Sequence, residues 1–421
     1  MQTVAIIGTG ISGMSAGYFL RDKFDITFYE KEDYAGGHTN TLTIKEGNQD
    51  IYIDSAFMVY NEPTYPLLTR LFKELKIETK PTSMSFSVQH LPSGLEYCGT
   101  GYNGLFAQRR NIFNPRYVKM LLEIDRFRRE ADEVLDNPSY VSCTLAQYMR
   151  SKGYSEDFLQ KFLIPMSSAV WSTPANTMLE FPVQTLVRFF NNHRFLSLDG
   201  QLSWRTCVGG SRQYREKIIT AFGDRVWTQR AVVKIKREAG KVAVTDSTGQ
   251  VLIYDKVIVA CHADEALGLL IDPTALESSL LSKFPYLSNK TTLHTDARVM
   301  PKLKSVWSSW NNRIENGSDG QAKTSTIYWM NSLQGVSKSK SYFISINDPG
   351  LIDPARILWE KNYTHPLYTV DGQEAQLRLS ELNRNGVTYF CGAYFRYGFH
   401  EDGLMSGVEA ARAVAGREVW S

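Results

Sequence analysis

Short apolar runs and amphipathic segments alternate along the chain, and the two patterns predict different elements. Strand patterns are found at residues 3–7, 25–29, 226–236, 241–246, 256–260 and 388–391. Helical patterns begin near Ile11 and are also found at residues 63–75, 117–135, 145–152, 156–164, 183–191 and 404–415. Their order predicts an α/β fold in which the chain leaves a first domain, makes a helical insertion, returns, leaves again and returns at its C-terminus.

A glycine pattern follows the first predicted strand. Gly8, Gly10 and Gly13 fit the spacing G-x-G-x-x-G at the junction with the helix that begins near Ile11. Such glycines allow a tight turn, close approach of the backbone to a pyrophosphate, and close packing of the helix on the strand. Glu30 follows the second predicted strand, where an acidic side chain accepts hydrogen bonds from ribose hydroxyls. The pattern predicts a dinucleotide site and leaves NAD and FAD open.

Two further glycine-rich segments narrow the choice of dinucleotide. Gly36 and Gly37 allow the backbone to lie close to a second phosphate or to the extended middle of a cofactor. Near the C-terminus a strand ends at Gly392, and a helix start is bracketed by Gly403 and Gly407. The amides of such a helix N-terminus can stabilise the negative charge of a reduced flavin ring. Together with the first pattern, these segments predict FAD held by both ends of the chain.

Composition excludes several classes of protein. The chain has 421 residues with 43% hydrophobic, which is long and apolar enough for two or three soluble domains. A net charge of +3 gives no indication of nucleic-acid binding. No apolar run is long enough to span a bilayer. Because the sequence enters a predicted strand at once, we expect no signal peptide. Five scattered cysteines lack a C-x-x-C spacing, so we expect no metal site, no disulfide framework and a cytoplasmic location.

The chain resembles the flavin-containing amine oxidase superfamily over its whole length. The likeness is carried by Gly8 to Gly13, the E-K-x-x-x-x-G-G spacing from Glu30, Val208-Gly-Gly-Ser211 and FCGAYFRYGFHEDGLMSG at 390–407. A closer likeness is to a bacterial flavoprotein group and to the amino-terminal flavin domain of plant cyclopropane fatty acid synthases. The segments that carry it are His294-Thr-Asp296, Met300-Pro301, Trp307 to Asn311, Tyr328 to Gln334, His365-Pro366 and Gly398 to Gly403.

The resemblance implies a Rossmann-like FAD-binding domain of the glutathione-reductase type. This domain would be interleaved with a mixed-sheet substrate domain and a helical insertion. The expected FAD-binding segments are 1–80, 205–285 and 385–421. The expected substrate-domain segments are 81–204, which includes the helical insertion 114–195, and 286–384.

The resemblance also implies the residues that contact FAD. They are Gly8, Gly10, Ile11, Ser12 and Gly13 at the pyrophosphate, Glu30 and Lys31 at the adenosine ribose, Gly37, His38 and Thr39 along the cofactor, Val232 at adenine, and Phe57, Met58, Gly392, Gly403, Leu404 and Met405 near the flavin. Many relatives carry arginine where this chain has His38, so a titratable group replaces a fixed charge. Cys391 is not at the place where monoamine oxidases attach flavin, so we expect non-covalent FAD. Lys290 lies in the segment where amine oxidases commonly carry a lysine.

Three residues are candidates for chemistry. His400 lies where the C-terminal loop should face the flavin ring, and it could carry a proton; alternatively, His400, Glu401 and Asp402 hold this loop through hydrogen bonds to the backbone. His294 and Asp296 are two residues apart on a strand and project to the same face. They could form a base and the group that orients it, or a structural polar pair.

The leading hypothesis is an FAD-dependent oxidoreductase acting on an apolar, fatty-acyl or lipid substrate. Hydride transfer to flavin would give desaturation or double-bond isomerisation. This substrate class is favoured by the many large apolar side chains of the helical insertion, some of which could line a tunnel. One alternative is an amine oxidase that produces peroxide. Another is a non-catalytic flavoprotein partner of a lipid-modifying methyltransferase, which only the plant fusion suggests.

One segment suggests contact with a membrane. Between Leu105 and Glu130, seven basic residues meet three acidic ones, and six large apolar side chains interleave with them. The basic residues are Arg109, Arg110, Arg116, Lys119, Arg126, Arg128 and Arg129. This composition is typical of an interfacial anchor, which would make the protein membrane-peripheral. The alternative is a solvated helix with one packed face.

Overall fold

The computed structural model describes residues 1–195, 202–317, 322–384 and 386–420. The described strands are β1 (Gln2–Ile7), β2 (Phe24–Tyr29), β3 (Thr41–Glu46), β4 (Gln49–Asp54), β5 (Tyr60–Asn61), β6 (Thr79–Thr82), β7 (Phe86–His90), β8 (Leu95–Cys98), β9 (Trp204–Cys207), β10 (Val226–Trp227), β11 (Val232–Glu238), β12 (Lys241–Asp246), β13 (Val251–Tyr254), β14 (Lys256–Val259), β15 (Tyr286–His294), β16 (Trp310–Asn316), β17 (Ala322–Trp329), β18 (Phe343–Ile346), β19 (Ile357–Pro366) and β20 (Thr388–Phe390). The described α-helices are α1 (Ile11–Leu20), α2 (Pro66–Glu74), α3 (Gly101–Leu105), α4 (Pro115–Asp136), α5 (Leu145–Lys152), α6 (Glu156–Phe158), α7 (Ile164–Trp171), α8 (Ala175–Met178), α9 (Val183–Asn192), α10 (Arg212–Ile219), α11 (Ala263–Leu269), α12 (Ala275–Leu281), α13 (Met330–Leu333), α14 (Val370–Gln376) and α15 (His400–Ala415).

A parallel sheet holds the two ends of the chain together. Its strand order is β10-β2-β1-β14-β20, and every neighbouring pair is parallel. Strands β1 and β14 are apolar on both faces because both faces are covered. Helices α1 and α15 cover one face, and the antiparallel meander β11-β12-β13 lies with α11 and α12 over the other. The carboxyl ends of β1, β14 and β20 therefore meet at one edge of the sheet.

Helices α1 and α15 pack unusually closely, and small residues make this possible. A Cβ at Gly403 would lie 2.7 Å from Ile11 Cγ2 and 3.0 Å from Ser12 Oγ. A Cβ at Gly407 would collide with Ser12 and Ser15. The two ends of the chain are consequently held as one layer beside the β1–α1 turn.

A second, mixed sheet has the strand order β19-β15-β18-β17-β16-β7-β8. Its pairs are antiparallel except β16 with β7, which are parallel. The helices of the insertion pack on one part of this sheet: Val88, Tyr97 and Ile314 share a core with Phe127 and Phe190. Two smaller sheets have the strand orders β3-β4 and β5-β9-β6.

The α/β fold predicted from the sequence is confirmed, with a Rossmann-like parallel sheet interleaved with a mixed sheet and a helical insertion. Residues 2–7, 24–29, 226–227, 256–259 and 388–390 supply the parallel sheet, and residues 86–98 and 286–366 supply the mixed sheet. Within the described ranges, no helix combines the length and the apolar content needed to cross a bilayer.

Candidate functional site

A cavity of about 600 Å³ lies between the parallel sheet, the mixed sheet and the helical insertion. One part is lined by the β1–α1 turn, by the residues that follow β2, and by Val232 at the start of β11. Another part is lined by Val170, Phe189 and Phe195 of the helical insertion and by Phe399 before α15. The cavity thus joins the predicted nucleotide site to the predicted substrate domain.

The β1–α1 turn needs its glycines for two different reasons. Gly8 has a φ of 101°, and a Cβ there would lie 2.8 Å from the carbonyl oxygen of Ala260 at the end of β14. A Cβ at Gly13 would collide with the Gly8 carbonyl, so Gly13 serves helix packing. At Gly10 the space around a Cβ is open for 4 Å, and this residue faces the cavity. The turn therefore presents open backbone beside the N-terminus of α1, which suits a pyrophosphate.

Thr9 connects the acid after β2 to the loop that follows it. Its hydroxyl donates to Glu30 Oε2 and accepts a hydrogen bond of 2.9 Å from the Gly36 N–H. The Thr9 N–H also donates to Glu30 Oε2, at 3.1 Å, and the Glu32 N–H donates to Oε1, at 3.0 Å. Glu30 thus fixes the turn and the Gly36 loop in one arrangement while it still lines the cavity.

Three polar atoms on the cavity wall are buried without a hydrogen-bond partner among the described residues. They are His38 Nε2, Trp310 Nε1 and Tyr394 Oη. Buried polar groups normally have partners, and the residues that carry these three atoms all line the cavity. Burial and the nearby His365 hold the pKa of His38 well below its usual range, so His38 is neutral and not a substitute positive charge. The open glycine turn, Glu30 and these atoms fit FAD.

The structure brings most of the predicted cofactor residues together. The ones that line the cavity are Gly8, Gly10, Ile11, Ser12, Glu30, Lys31, Gly37, His38, Phe57, Met58, Val232 and Gly392. Five others lie behind the wall: Gly13, Thr39, Gly403, Leu404 and Met405. These five support the wall through packing or hydrogen bonds. Lys31 also forms an ion pair of 2.6 Å with Glu265, which lines the cavity as well.

His400 is the predicted chemical residue that reaches the cavity. Its ring stacks on Phe57 with 3.7 Å between centroids. Its Nε2 lies 2.6 Å from the Tyr214 hydroxyl and 3.2 Å from Thr39 Oγ1. Burial lowers the pKa of His400 to about 3, so the imidazole is neutral. The hydrogen-bonded Nε2 and the stacked ring hold His400 in one orientation.

The two acids after His400 hold the loop and its neighbours. The carboxylate of Glu401 accepts from the backbone N–H groups of Leu67 and Leu68, at 2.7 and 2.9 Å, in the first turn of α2. Asp402 accepts from the Phe399 N–H at 2.9 Å. Burial raises the pKa of Glu401 to about 7 and that of Asp402 to about 6. Glu401 and Asp402 therefore hold the loop through hydrogen bonds to the backbone, as the structural alternative for this segment predicts.

His294 and Asp296 lie outside the cavity. His294 Nδ1 accepts from the Asp296 N–H at 3.1 Å, and its Nε2 lies 2.8 Å from Ser345 Oγ. Asp296 is buried against Arg298, with 2.6 Å between Arg298 Nη2 and the carboxylate. Burial lowers the pKa of His294 to about 4. The structure therefore shows this pair in a structural arrangement. His294 lies on the face of β15 opposite to the one that carries Thr291, which lines the cavity. Asp296 follows the end of β15 and caps the turn at Ala297–Val299, so the prediction that both residues lie on one strand is wrong.

Lysines take two positions relative to the cavity. Lys290 forms an ion pair of 2.7 Å with Glu360 and does not line the cavity. Lys361, on the neighbouring strand β19, lines it and is paired with Glu32 at 2.6 Å. No role was predicted for Lys361, Tyr363 or His365. They belong to an unbroken run of cavity-lining residues, 361–366 of β19, so strand alternation would not have singled them out.

Beneath the helical insertion the cavity wall is aromatic. Phe189 stacks on Phe399 at 4.5 Å and on His193 at 3.9 Å, and Phe195 stacks on Trp204 at 6.4 Å. Burial lowers the pKa of His193 to about 4, so this imidazole is neutral. The described residues that line this part include no Asp, Glu, Lys or Arg. Here the arrangement can hold an apolar ligand and exclude water.

Comparisons with known proteins identify what this arrangement resembles. The family model for flavin containing amine oxidoreductase matches residues 11–345. The chain is similar to amine oxidase [flavin-containing] B of Homo sapiens, with 26% identity over 282 residues that cover 64% of this chain and 51% of that protein. It is also similar to amine oxidase [flavin-containing] A of Equus caballus, with 25% identity over 254 residues that cover 58% of this chain and 46% of that protein. The chain spans about half the length of the curated relatives it matches.

Solved structures share the fold along the whole chain. Cyclohexylamine oxidase from Brevibacterium oxydans IH-35A has a TM-score of 0.70 at 18% identity, with 99% of both chains covered. A CLA-producing fatty acid isomerase from P. acnes has a TM-score of 0.68 at 13% identity, with 96% of this chain and 97% of that chain covered. At these identities the likeness concerns the fold alone.

Proposed function

The chain belongs to the flavin-containing amine oxidoreductase family, and from this premise we propose that it is an FAD-dependent oxidoreductase whose substrate is apolar, a fatty-acyl chain or a lipid. The reaction would be desaturation or double-bond isomerisation. The family implies FAD as the cofactor, and we propose that FAD binds in the cavity. The observation that carries the substrate class is the uncharged aromatic wall beneath the helical insertion.

One group of cavity residues would bind the cofactor. Gly8, Gly10, Glu30, Gly37 and His38 would hold the dinucleotide, because they supply open backbone, an acceptor for ribose hydroxyls and an unpartnered nitrogen. Bound FAD supplies a two-electron acceptor at this site. We propose non-covalent binding, since the Cys391 thiol is buried in a core shared with Val4 and Ala410 and does not line the cavity.

The aromatic wall would position the substrate and keep water out. An acyl chain that leaves water for such a wall gains about 0.8 kcal/mol for each CH₂ buried. The neutral His193 and His400 present no charge to that chain. His400, held by Phe57 and Tyr214, would shape the passage between the two parts of the cavity, with its ring fixed in one plane.

Amine oxidation is the second candidate. Relatives whose names are amine oxidases favour it. The described wall beneath the helical insertion has no carboxylate to bind an ammonium group, so only its aromatic faces could stabilise a charged amine there. A catalytically silent partner of a lipid-modifying methyltransferase is the third candidate.

The test is anaerobic mixing of the holoenzyme with unsaturated phospholipids, free fatty acids and amines in separate cuvettes. Bleaching of the flavin by an acyl substrate indicates desaturation, and a shifted double bond found by mass spectrometry without net bleaching indicates isomerisation. If amines alone bleach the flavin and peroxide follows on re-aeration, the enzyme is an amine oxidase and the acyl proposal fails. If none of the substrates is turned over and a methyltransferase co-purifies with the protein, the third candidate is supported.

A variant links the outcome to the aromatic wall. Val170→Trp places a large ring where α7 reaches the cavity. We expect KM for the acyl substrate to rise about tenfold or more, because filling the pocket excludes several CH₂ groups, while FAD content stays unchanged. Val251→Trp, on the exposed strand β13, is the matched control. Equal KM values in the two variants would contradict a role for this wall.

A further inference from the structure

Residues 102–122 carry a set of exposed apolar and basic side chains, here called the basic–apolar patch. The patch includes α3, the turn at residues 109–113 and the first two turns of α4. It lies on the outside of the helical insertion, since the inward residues Tyr117, Met120 and Phe127 belong to the insertion's core. No residue of the patch lines the cavity described above.

Several large apolar side chains of the patch are mostly exposed to solvent. Phe113 is 87% exposed, Tyr102 84% and Leu122 65%. Ile112 is exposed as well, and Val118 lies one helical turn before Leu122 on the outer face of α4. Exposed apolar groups in one place indicate an interaction surface.

The charges of the patch all have one sign. No Asp or Glu occurs between Glu96 and Glu123, and this interval contains Arg109, Arg110, Arg116 and Lys119. Within the described ranges, the three arginines form no ion pair, and Lys119 lies 3.9 Å from Glu123 at the edge. Further along α4, Arg128 and Arg129 both pair with Asp125, at 2.7 and 3.1 Å, and residues 123–136 carry more acidic than basic side chains. The excess positive charge therefore lies at residues 109–119, in the same segment as the exposed apolar groups.

The patch is held rigidly on the protein. The Tyr117 hydroxyl donates to the Leu105 carbonyl at 2.6 Å, which ties α4 to α3. Asn114 caps α4 by accepting from the Arg116 and Tyr117 N–H groups, at 3.1 and 3.3 Å. Arg109 donates to Asn103 at 2.9 Å, which ties the 109–113 turn to α3. The aromatic and basic side chains are thus presented together.

We infer that the basic–apolar patch docks the protein on an anionic phospholipid surface. Phe113, Tyr102 and Leu122 would enter the boundary between headgroups and acyl chains, where amphipathic rings and leucine are favourable. The four cations would face the lipid phosphates, each adding about 1 kcal/mol. Arg109, Arg110 and Lys302 also line a groove beside the patch, and the carboxylate in that groove, Glu96, accepts from the N–H groups of Lys302 and Leu303.

The test is flotation of the FAD-loaded full chain with vesicles. One set of vesicles contains phosphatidylcholine alone, and the other contains phosphatidylcholine mixed with phosphatidylglycerol. We expect flotation with the mixed vesicles, weaker binding as salt is added, and little binding to phosphatidylcholine alone. Absence of flotation with mixed vesicles at low salt overturns the inference, and so does equal binding to both compositions.

Matched variants assign the binding to the patch. R110Q/R116Q should lower the partition coefficient about fivefold for each cation removed, and F113S/L122S should lower it at least about tenfold. The controls are R128Q/R129Q for charge and I253S, an isoleucine exposed on β13, for apolar surface. An unchanged flavin spectrum and melting temperature establish that each variant is folded. If the patch variants bind as tightly as the controls, another surface docks and the inference is wrong.

Discussion

At the scale of single residues, Thr9 shows how a position between two motif glycines can matter as much as the glycines. Its hydroxyl joins Glu30 to the Gly36 N–H, so it holds the acid and the loop in the arrangement that would receive FAD. Thr9→Val removes both hydrogen bonds while it preserves shape. We expect the Kd for FAD to rise by up to about thirtyfold, because each of the two bonds contributes about 1 kcal/mol. Fluorescence titration of the apoprotein measures this, with Thr9→Ser as the control that keeps the hydroxyl; equal Kd values for all three proteins would contradict it.

Glu401 makes stability depend on pH in a predictable direction. Burial raises its pKa from 4.5 to about 7, so the folded protein keeps a proton that the unfolded chain releases. This carboxyl adds stability that is fully present below about pH 4.5 and is lost as the pH rises through about 7. Glu401→Gln removes the titration, whereas Asp402 titrates in both proteins. We expect the unfolding free energy of the wild type, relative to E401Q, to fall by on the order of 3 kcal/mol between about pH 5 and pH 8. Parallel pH profiles from chemical denaturation would contradict this.

At the scale of elements, the helical segment at residues 156–171 is longer than the periodicity of its sequence predicts. The sequence pattern predicts a helix at 156–164, and the next residue, Pro165, cannot donate a backbone hydrogen bond. The structure continues through a wider π turn at 159–163 into α7, which brings Val170 to the cavity. The Tyr97 hydroxyl donates to the Lys161 carbonyl, four residues before the proline, at 2.7 Å. This partner comes from β8, far away in the sequence, so local periodicity could not reveal it.

Loss of the Tyr97 contact should destabilise the protein. Tyr97→Phe leaves the Lys161 carbonyl without its hydroxyl donor in a buried place. We expect the free energy of unfolding to fall by about 1–3 kcal/mol, the usual cost of losing a buried partner. Urea denaturation measures the change, and Tyr102→Phe, at an exposed tyrosine, is the control. The same unfolding free energy in both variants would show that the carbonyl is satisfied without Tyr97.

At the scale of the whole molecule, the sequence predicts local motifs better than it predicts what meets across the fold. The glycine turn and Glu30 were predictable because a strand, a turn and a helix follow each other directly. The predicted strand 226–236 is instead β10 and β11 in two different sheets, separated at Gln229, whose φ is 54°. The sequence paired His294 with Asp296, which it contacts, but the sequence could not show that this pair lies outside the cavity. Thr291 and Ile346 form a pair on the cavity side, and His294 pairs with Phe343 on the other.

The cavity joins distant parts of the chain, so FAD should stabilise the whole fold rather than one domain. Its wall includes residues from the N-terminal turn, from β19 and from the loop before α15. Removal of FAD should lower the melting temperature, and added FAD at about a hundredfold excess over its Kd should return about 2.7 kcal/mol. Scanning calorimetry of apo and reloaded protein measures this, with Thr9→Val as the variant that needs more FAD for the same gain. One cooperative transition that moves with FAD concentration is expected. Two transitions, of which FAD moves only one, would show that the substrate domain is not coupled to cofactor binding.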